Sequence, residues 1–347
     1  MVSVVTAVAR RTPISWRLPL YALIGATVLS ESGVAITTVA LPWLVLSVTG
    51  STIWVGAIAA SALAPQVIGA VMGGAVVDRI GARLVSIGAG LASCFCITSI
   101  AALLWWDYLS MWSLLVLVFM AEFFSIAVAT AWESRLPEIS RLARVPLERT
   151  NAAQEVIQNT ALLVGPPLAG IVTADMGIKY TVMLIAATSI AFSAINTVVM
   201  PRSRRAGRAK TRSRGIGFFS ETVRVLRADA LLRFVLLLTA ALVALLVAYA
   251  EVVLPTLFFR TTGDAVGLGF FLSAIGAGGI ASAVAFGVWG HRLDQRRIII
   301  GGMVGLVLGT TIIAACSTVP CLLAAGAIIG LAGGPFEPLV NTIVHKR

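Results

Sequence analysis

Gly73-Gly74-Ala75-Val76-Val77-Asp78-Arg79-Ile80-Gly81-Ala82-Arg83 decides how this chain is read. It is a short charged segment with a long apolar run on either side. Runs of about 20 apolar residues span a bilayer as helices. A connection this short makes the flanking helices antiparallel neighbours whose ends share one membrane face. Asp78, Arg79 and Arg83 mark the water side, and the glycines let the backbones approach and turn. An ordinary basic loop would also fit these residues, but the pattern recurs. Gly287-Val288-Trp289-Gly290-His291-Arg292-Leu293-Asp294-Gln295-Arg296 again lies between two apolar runs, with Gly74 matched by Gly287, Arg79 by Arg292 and Arg83 by Arg296 at one constant offset. A hairpin repeated several helices apart points to a duplicated helical bundle.

Working outward, a chain that is 59% hydrophobic and only 12% charged is not an ordinary soluble protein of 347 residues. The first apolar run, about Leu18 to Val48, is too long for a cleavable signal core. Further runs at roughly 52–76, 84–105, 111–132, 150–174, 178–200, 234–257, 265–289, 298–317 and 320–344 bring the total to ten spans. The segments assigned to the cytoplasm on this map hold 24 of the 26 basic residues, leaving only Lys179 and Arg260 outside. That asymmetry places both termini in the cytoplasm of a cell-membrane protein. It also accounts for the net charge of +11 without a nucleic-acid partner. Trp105, Trp106, Tyr108 and Trp112 bracket the outer turn between spans three and four, as an aromatic belt does. Cys94 and Cys96 lie in one apolar run, while Cys316 and Cys321 flank a short turn; all four read as small packing residues.

The longest connection divides the chain into an N-terminal bundle, 1–200, a basic cytoplasmic linker, 201–233, and a C-terminal bundle, 234–347. Arg202 to Arg214 suits anionic lipid headgroups. Phe219, Val223 and Leu226 follow at the spacing of a short interfacial helix.

Charge is expensive inside a bilayer, so ionisable groups there line a pathway or find a partner. Glu31, Glu122, Glu251 and Glu337 fall within spans one, four, seven and ten, with no Lys, Arg or His at similar depth. Each reads equally well as a proton-coupling carboxylate or as a protonated acid bonded to a neighbouring helix. Asn341 in span ten either faces a cavity or bonds a helix. Gln154, Glu155, Gln158 and Asn159 sit at the cytoplasmic end of span five, where capping and solvation are the default. Pro166 and Pro167 remove two backbone donors from that span and are expected to bend or open it. Gly333-Gly334-Pro335 is a similar break near Glu337. The only histidines, His291 and His345, lie at cytoplasmic ends. With no HExxH, paired-cysteine set or nucleotide-binding loop, neither an enzyme nor a metal or cofactor site is expected.

Gly74-x-x-x-Asp78-Arg79-x-Gly81-x-Arg83 resembles the loop motif between helices two and three of the major facilitator superfamily. Ala40-Leu41-Pro42-Trp43-Leu44-Val45 through Thr49-Gly50-Ser51 is similar to the first helix of its drug and siderophore exporters. Leu136-Pro137-Glu138 and Asn151-Ala152-Ala153 resemble that branch's segment around helix five. Gly165-Pro166-Pro167-Leu168-Ala169-Gly170 resembles its antiporter motif, with Ala169 where the pattern usually has Gly. The resemblance implies an all-α polytopic fold of two pseudo-symmetric bundles, with spans one, four, seven and ten around a central cavity. It implies secondary active export of a hydrophobic or cationic small molecule in exchange for protons. Gly74, Asp78, Arg79, Gly81 and Arg83, echoed by Gly287, Arg292 and Arg296, would form a conformational switch, and Gly165, Pro166 and Gly170 the antiporter seam. The family has twelve spans, so a chain of ten is expected to lack the last two, leaving four helices in the second bundle. Siderophore or metabolite export, and a non-transporting relic or sensor on the same scaffold, stay open beside drug export, as does the oligomeric state.

Overall fold

Backbone polar groups inside a bilayer find partners only within a helix or a closed barrel, and this sequence forms helices. The computed structural model describes residues 14–142, 145, 147–200, 247–289, 295–315 and 318–333, and no strand occurs among them. In chain order the helices are α1 (Ile14–Thr49), α2 (Thr52–Ile80), α3 (Ala82–Trp105), α4 (Met111–Leu142), α5 (Leu147–Asp175), α6 (Ile178–Val199), α7 (Leu254–Thr261), α8 (Ala265–Trp289), α9 (Gln295–Ala315) and α10 (Val319–Gly333). A π-helical turn, Tyr249–Val253, leads into α7. The chain is therefore an all-α polytopic membrane protein. Glu337, Asn341, Arg292 and the linker 201–233 lie outside the described residues, as do the side chains of Asp78 and Arg296.

Stretches of α1, α3, α4, α5, α6 and α8 are each long and apolar enough to cross a membrane. Shorter apolar stretches lie in α2, α9 and α10 (Thr52–Gln66, Ile300–Ala315 and Val319–Gly333). Only 28% of the apolar window of α3 is buried within the protein, and Phe95 on that helix is 70% exposed. Apolar surface on this scale needs lipid to cover it. Trp105, Trp106, Tyr108 and Trp112 are all exposed around the α3–α4 turn, where an aromatic belt meets headgroups.

Turn chemistry explains the helix ends. The decisive hairpin is shorter than its sequence implied: α2 stays helical through Asp78, Arg79 and Ile80, and the whole reversal rests on Gly81 at φ +96. A side chain there would strain the left-handed backbone, so one glycine replaces the expected loop. The α3–α4 turn reverses at Asp107, φ 60, a conformation that Asp tolerates better than most residues. Ser110 and Ser113 then cap α4 reciprocally, each hydroxyl accepting the other's backbone N–H at 3.1 Å. Asp264 caps α8 by accepting the N–H groups of Val266 and Gly267 at 2.8 and 3.3 Å.

The chain divides into two compact units. Unit 1 comprises Met1–Ser30, Ile53–Glu155 and Ala186–Ala250; unit 2 comprises Glu31–Thr52, Val156–Ile185 and Glu251–Arg347. In unit 1 the α2–α3 hairpin is seated on a core of Val77, Ala82, Val85, Val128, Ala131, Trp132, Leu136 and Met200. Asn196 of α6, fully buried, ties α6 to α3 and α4. Its Oδ1 accepts the Ser86 hydroxyl at 2.8 Å and the Trp132 indole N–H at 3.1 Å, while its Nδ2 donates to the Ser86 carbonyl at 2.9 Å. In unit 2 the helices meet through backbone and small residues instead. α8 lies against α10, with Gly326 beside Phe271 and Gly278 beside Ala327.

Among the cysteines, Cys94 and Cys96 are free thiols within α3. Cys321 is disulfide-bonded, which corrects its reading as a packing residue. It stands in the first turn of α10.

Candidate functional site

The antiporter-like run of α5 is placed by close approach. A Cβ added to Gly165 would lie 2.5 Å from Ala35 Cβ on α1, and one added to Gly170 would lie 2.6 Å from the Ala265 carbonyl oxygen on α8. Gly269 of α8 returns the contact against the Pro166 backbone, and the Ser273 hydroxyl donates to the Leu163 carbonyl. That last bond has a cause in the sequence. Pro166 and Pro167 offer no N–H to the carbonyls one turn back, at Leu162 and Leu163, and Ser273 supplies the missing donor to Leu163. α5 stays helical through both prolines, so in place of an opened helix there is an unbroken one, patched from α8.

Glu31 stands in the same unit, one turn before Ala35 on α1. It is half-buried, and its Oε1 accepts a long hydrogen bond from the Gln158 amide, 3.4 Å. Gln158 was expected only to cap or solvate the end of α5. Helix packing carries its side chain to α1, and nothing in residue spacing along α5 signals that. Glu122 on α4 belongs to unit 1 and is half-buried among apolar neighbours. Glu251 is half-buried inside the π turn. Glu31 is thus joined to α5, while Glu122 lies in the other compact unit.

Of the switch residues, Arg79 is exposed at the end of α2 and Arg83 half-buried in the first turn of α3. Gly74 lies within α2, Gly287 in the last turn of α8 and Arg296 in the first turn of α9. Both copies of the repeat therefore straddle a helix end and the next helix start. Asn196 and the π turn were missed from sequence. A lone Asn inside an apolar run and a Pro inside span seven were the available signals.

Arranged this way, α1 offers a carboxylate, Glu31, beside a neutral amide, Gln158. Among the described residues no group of three or more His, Cys, Asp or Glu is assembled that could hold a metal ion. The family model described as Major Facilitator Superfamily matches residues 23–347. The multidrug efflux pump Tap of Mycobacterium tuberculosis is 30% identical over 337 residues, covering 95% of this chain and 80% of the relative. The protein of the same name from Mycolicibacterium fortuitum is 27% identical over 333 residues, covering 95% and 81%. Among solved structures, the nucleoside transporter NupG superposes with a TM-score of 0.75 at 13% identity, over 95% of this chain and 83% of that one. That likeness concerns the fold alone.

Proposed function

The chain belongs to the Major Facilitator Superfamily, and we propose that it exports hydrophobic or cationic drug-like molecules in exchange for protons by alternating access. Support for the cargo comes from the mycobacterial relatives, which are multidrug efflux pumps. Alternation is proposed between the halves 1–200 and 234–347, with the hairpins around Asp78 and Arg79 and around Arg292 as the switch. Gly165, Pro166 and Gly170 supply the seam that holds α5 close to α1 and α8.

The observation that carries the proton part is Glu31. It is a carboxyl group within a membrane helix whose partner is a neutral amide, the Gln158 Nε2 donor. An amide N–H can donate to the carbonyl oxygen of a protonated acid or to a carboxylate alike. Glu31 can therefore gain and lose its proton while the contact to α5 persists, which is what a coupling group needs. A cationic partner would hold it ionised throughout. Glu122, Glu251 and Glu337 are further proton or substrate candidates by the same argument of depth, and Asn341 is a candidate for substrate contact.

Orientation has two supports. The basic residues crowd one side of the ten-span map, 24 of 26. Cys321 is disulfide-bonded at the end of α10 that this map assigns to the outside, and disulfides persist in oxidising compartments. With Cys94 and Cys96 replaced by Ser, an impermeant thiol reagent applied to intact cells should label Tyr108→Cys and spare Ile80→Cys. The reverse pattern inverts the map.

The deciding experiment is transport in proteoliposomes with an imposed pH gradient and a lipophilic cation. Glu31→Gln keeps size and hydrogen bonding but cannot titrate. It should abolish gradient-driven accumulation while binding of a neutral substrate survives. Accumulation at the unmodified rate by Glu31→Gln removes this residue from the coupling.

A further inference from the structure

Between α2, α3 and α4 of unit 1 lies a groove with apolar walls and a basic mouth. It holds about 260 Å³ and is open along one side, with Val76 and Ile80 of α2, Leu84 and Ala89 of α3, and Phe124 and Ala127 of α4 among its walls. Every residue that lines it is apolar. Its shallow end is the hairpin, where Ile80 and Leu84 stand on either side of Gly81 and are 57% and 68% exposed. Its deep end lies at Gly69, where α2 comes so close to α4 that an added Cβ would overlap Ile126.

The length of this groove fits a leaflet. From Ile80 to Gly69 the α-helix rises about 16 Å. One leaflet supplies half of a hydrocarbon core about 30 Å thick, or about 15 Å. A slot that runs from the water side to the middle of the membrane, with no polar side chain in it, suits one extended hydrocarbon chain. The mouth decides the headgroup. Arg79 directly precedes Ile80, and Arg83 directly precedes Leu84. Arg79 is exposed and Arg83 half-buried. Even with Asp78 counted, residues 73–83 carry two positive charges against one negative. Guanidinium groups pair with phosphate oxygens through parallel N–H bonds, and basic residues beside a bilayer attract anionic lipid. A cationic drug would meet repulsion at this mouth and find no acceptor among the walls.

We propose that this groove is a binding site for an anionic phospholipid from the leaflet on the hairpin side, with one acyl chain between Ile80 and Gly69 and its phosphate on Arg79 and Arg83. Nothing more is required than that these helices cross a membrane. The site therefore goes beyond the export reading and stands whether or not Glu31 couples protons.

The test places the full-length chain in phosphatidylcholine vesicles with a trace of phosphatidylglycerol that carries a photoreactive diazirine in mid-chain. Labelled peptides are identified by mass spectrometry and compared with those from the same chain on a phosphatidylcholine probe. The phosphatidylglycerol probe should label Phe123 and Phe124 roughly fivefold more than the phosphatidylcholine probe does. Phe95, 70% exposed on α3 and outside the groove, should take both probes alike, as ordinary boundary lipid does. Arg79→Gln combined with Arg83→Gln should erase the preference. Ala127→Leu and, separately, Ala89→Leu fill the groove, and each should cut labelling of Phe123 and Phe124 while labelling of Phe95 and the melting temperature hold. Excess glycerol phosphate should leave labelling unchanged, because the chain is needed as well as the phosphate. Equal labelling of Phe123 and Phe124 by the two probes overturns the proposal. So does competition by glycerol phosphate, since a headgroup then binds without its chain. Displacement of the probe by a lipophilic cation also overturns it, because the groove then takes cargo.

Discussion

Asn196 in unit 1 and Gly170 in unit 2 solve one problem by opposite means. Lipid is as apolar as leucine, so helices in a bilayer gain little by burying apolar side chains against each other. In unit 1, α3, α4 and α6 are fastened by direction. Three hydrogen bonds converge on one buried amide, and a fourth runs from the Ser193 hydroxyl to the Gly90 carbonyl at 3.0 Å. In unit 2, α5 meets α1 and α8 by proximity, where the absence of side chains at Gly165 and Gly170 brings backbones into contact. The amide network is satisfied in one register only. The glycine seam has no such register, but it tolerates no added bulk. Hence a unit can be held by bonds that specify or by surfaces that merely fit, and the two should fail differently.

The largest effect should come from attacking both at once. Gly170→Val with Asn196→Leu is expected to cost about 5 kcal/mol, the sum of the two single changes, because the sites lie in different compact units and share no partner among the described contacts. Such a loss consumes most of an ordinary stability margin, so folded yield in detergent should collapse. A double mutant milder than that sum by more than about 0.5 kcal/mol would show the two seams to be coupled, and the contrast between them would fail.

Gly170→Val alone should cost about 3 kcal/mol. Its Cβ would meet the Ala265 carbonyl oxygen and the Val266 Cα at 2.6 and 2.9 Å. Those are backbone atoms, which cannot swing aside as a side chain would. Thermal unfolding in detergent reads the loss, and a melting temperature matching the parent would mean the seam is looser than these distances.

Asn196→Leu should cost less, about 2 kcal/mol, because an apolar side chain of similar size fills the space while the Trp132 N–H is left without its acceptor. Adding Trp132→Phe removes that orphan donor and should recover part of the loss. Recovery sharpens the comparison, since no second substitution at a neighbouring side chain can rescue Gly170→Val, whose clash is with backbone. The smallest effect belongs to Gly88→Ala on the exposed face of α3, where an added Cβ meets nothing within 4 Å. Stability should rise, by no more than about 1 kcal/mol, through helix propensity alone.

Much of this is legible in the order of residues alone. Apolar runs, basic clusters and the repeated hairpin locate the helices because lipid demands about 20 apolar residues per span and the cytoplasmic face keeps its basic residues. Glu31, Glu122 and Glu251 stand out for a similar reason: a carboxylate in an apolar run is costly wherever the run packs. Even the crowded run from Gly165 to Gly170 declares itself, since two prolines among small residues are hard to place in a lone helix.

Partners and local backbone are another matter. Glu31 finds Gln158, which lies 127 positions along the chain, and Asn196 finds Ser86 at 110. Spacing along a single helix carries no signal for such pairs, because they depend on how far each helix slides and turns against its neighbour. Gly81 reads as one of several loop glycines, yet α2 is helical to Ile80 and leaves it the only residue to reverse the chain. Cys321 resembles a packing thiol because spacing along the chain does not say that its sulfur is bonded. Composition settles which segments leave water. Which polar groups then meet is set by the rotation and register of packed helices, where shifts of about an ångström make or break a hydrogen bond.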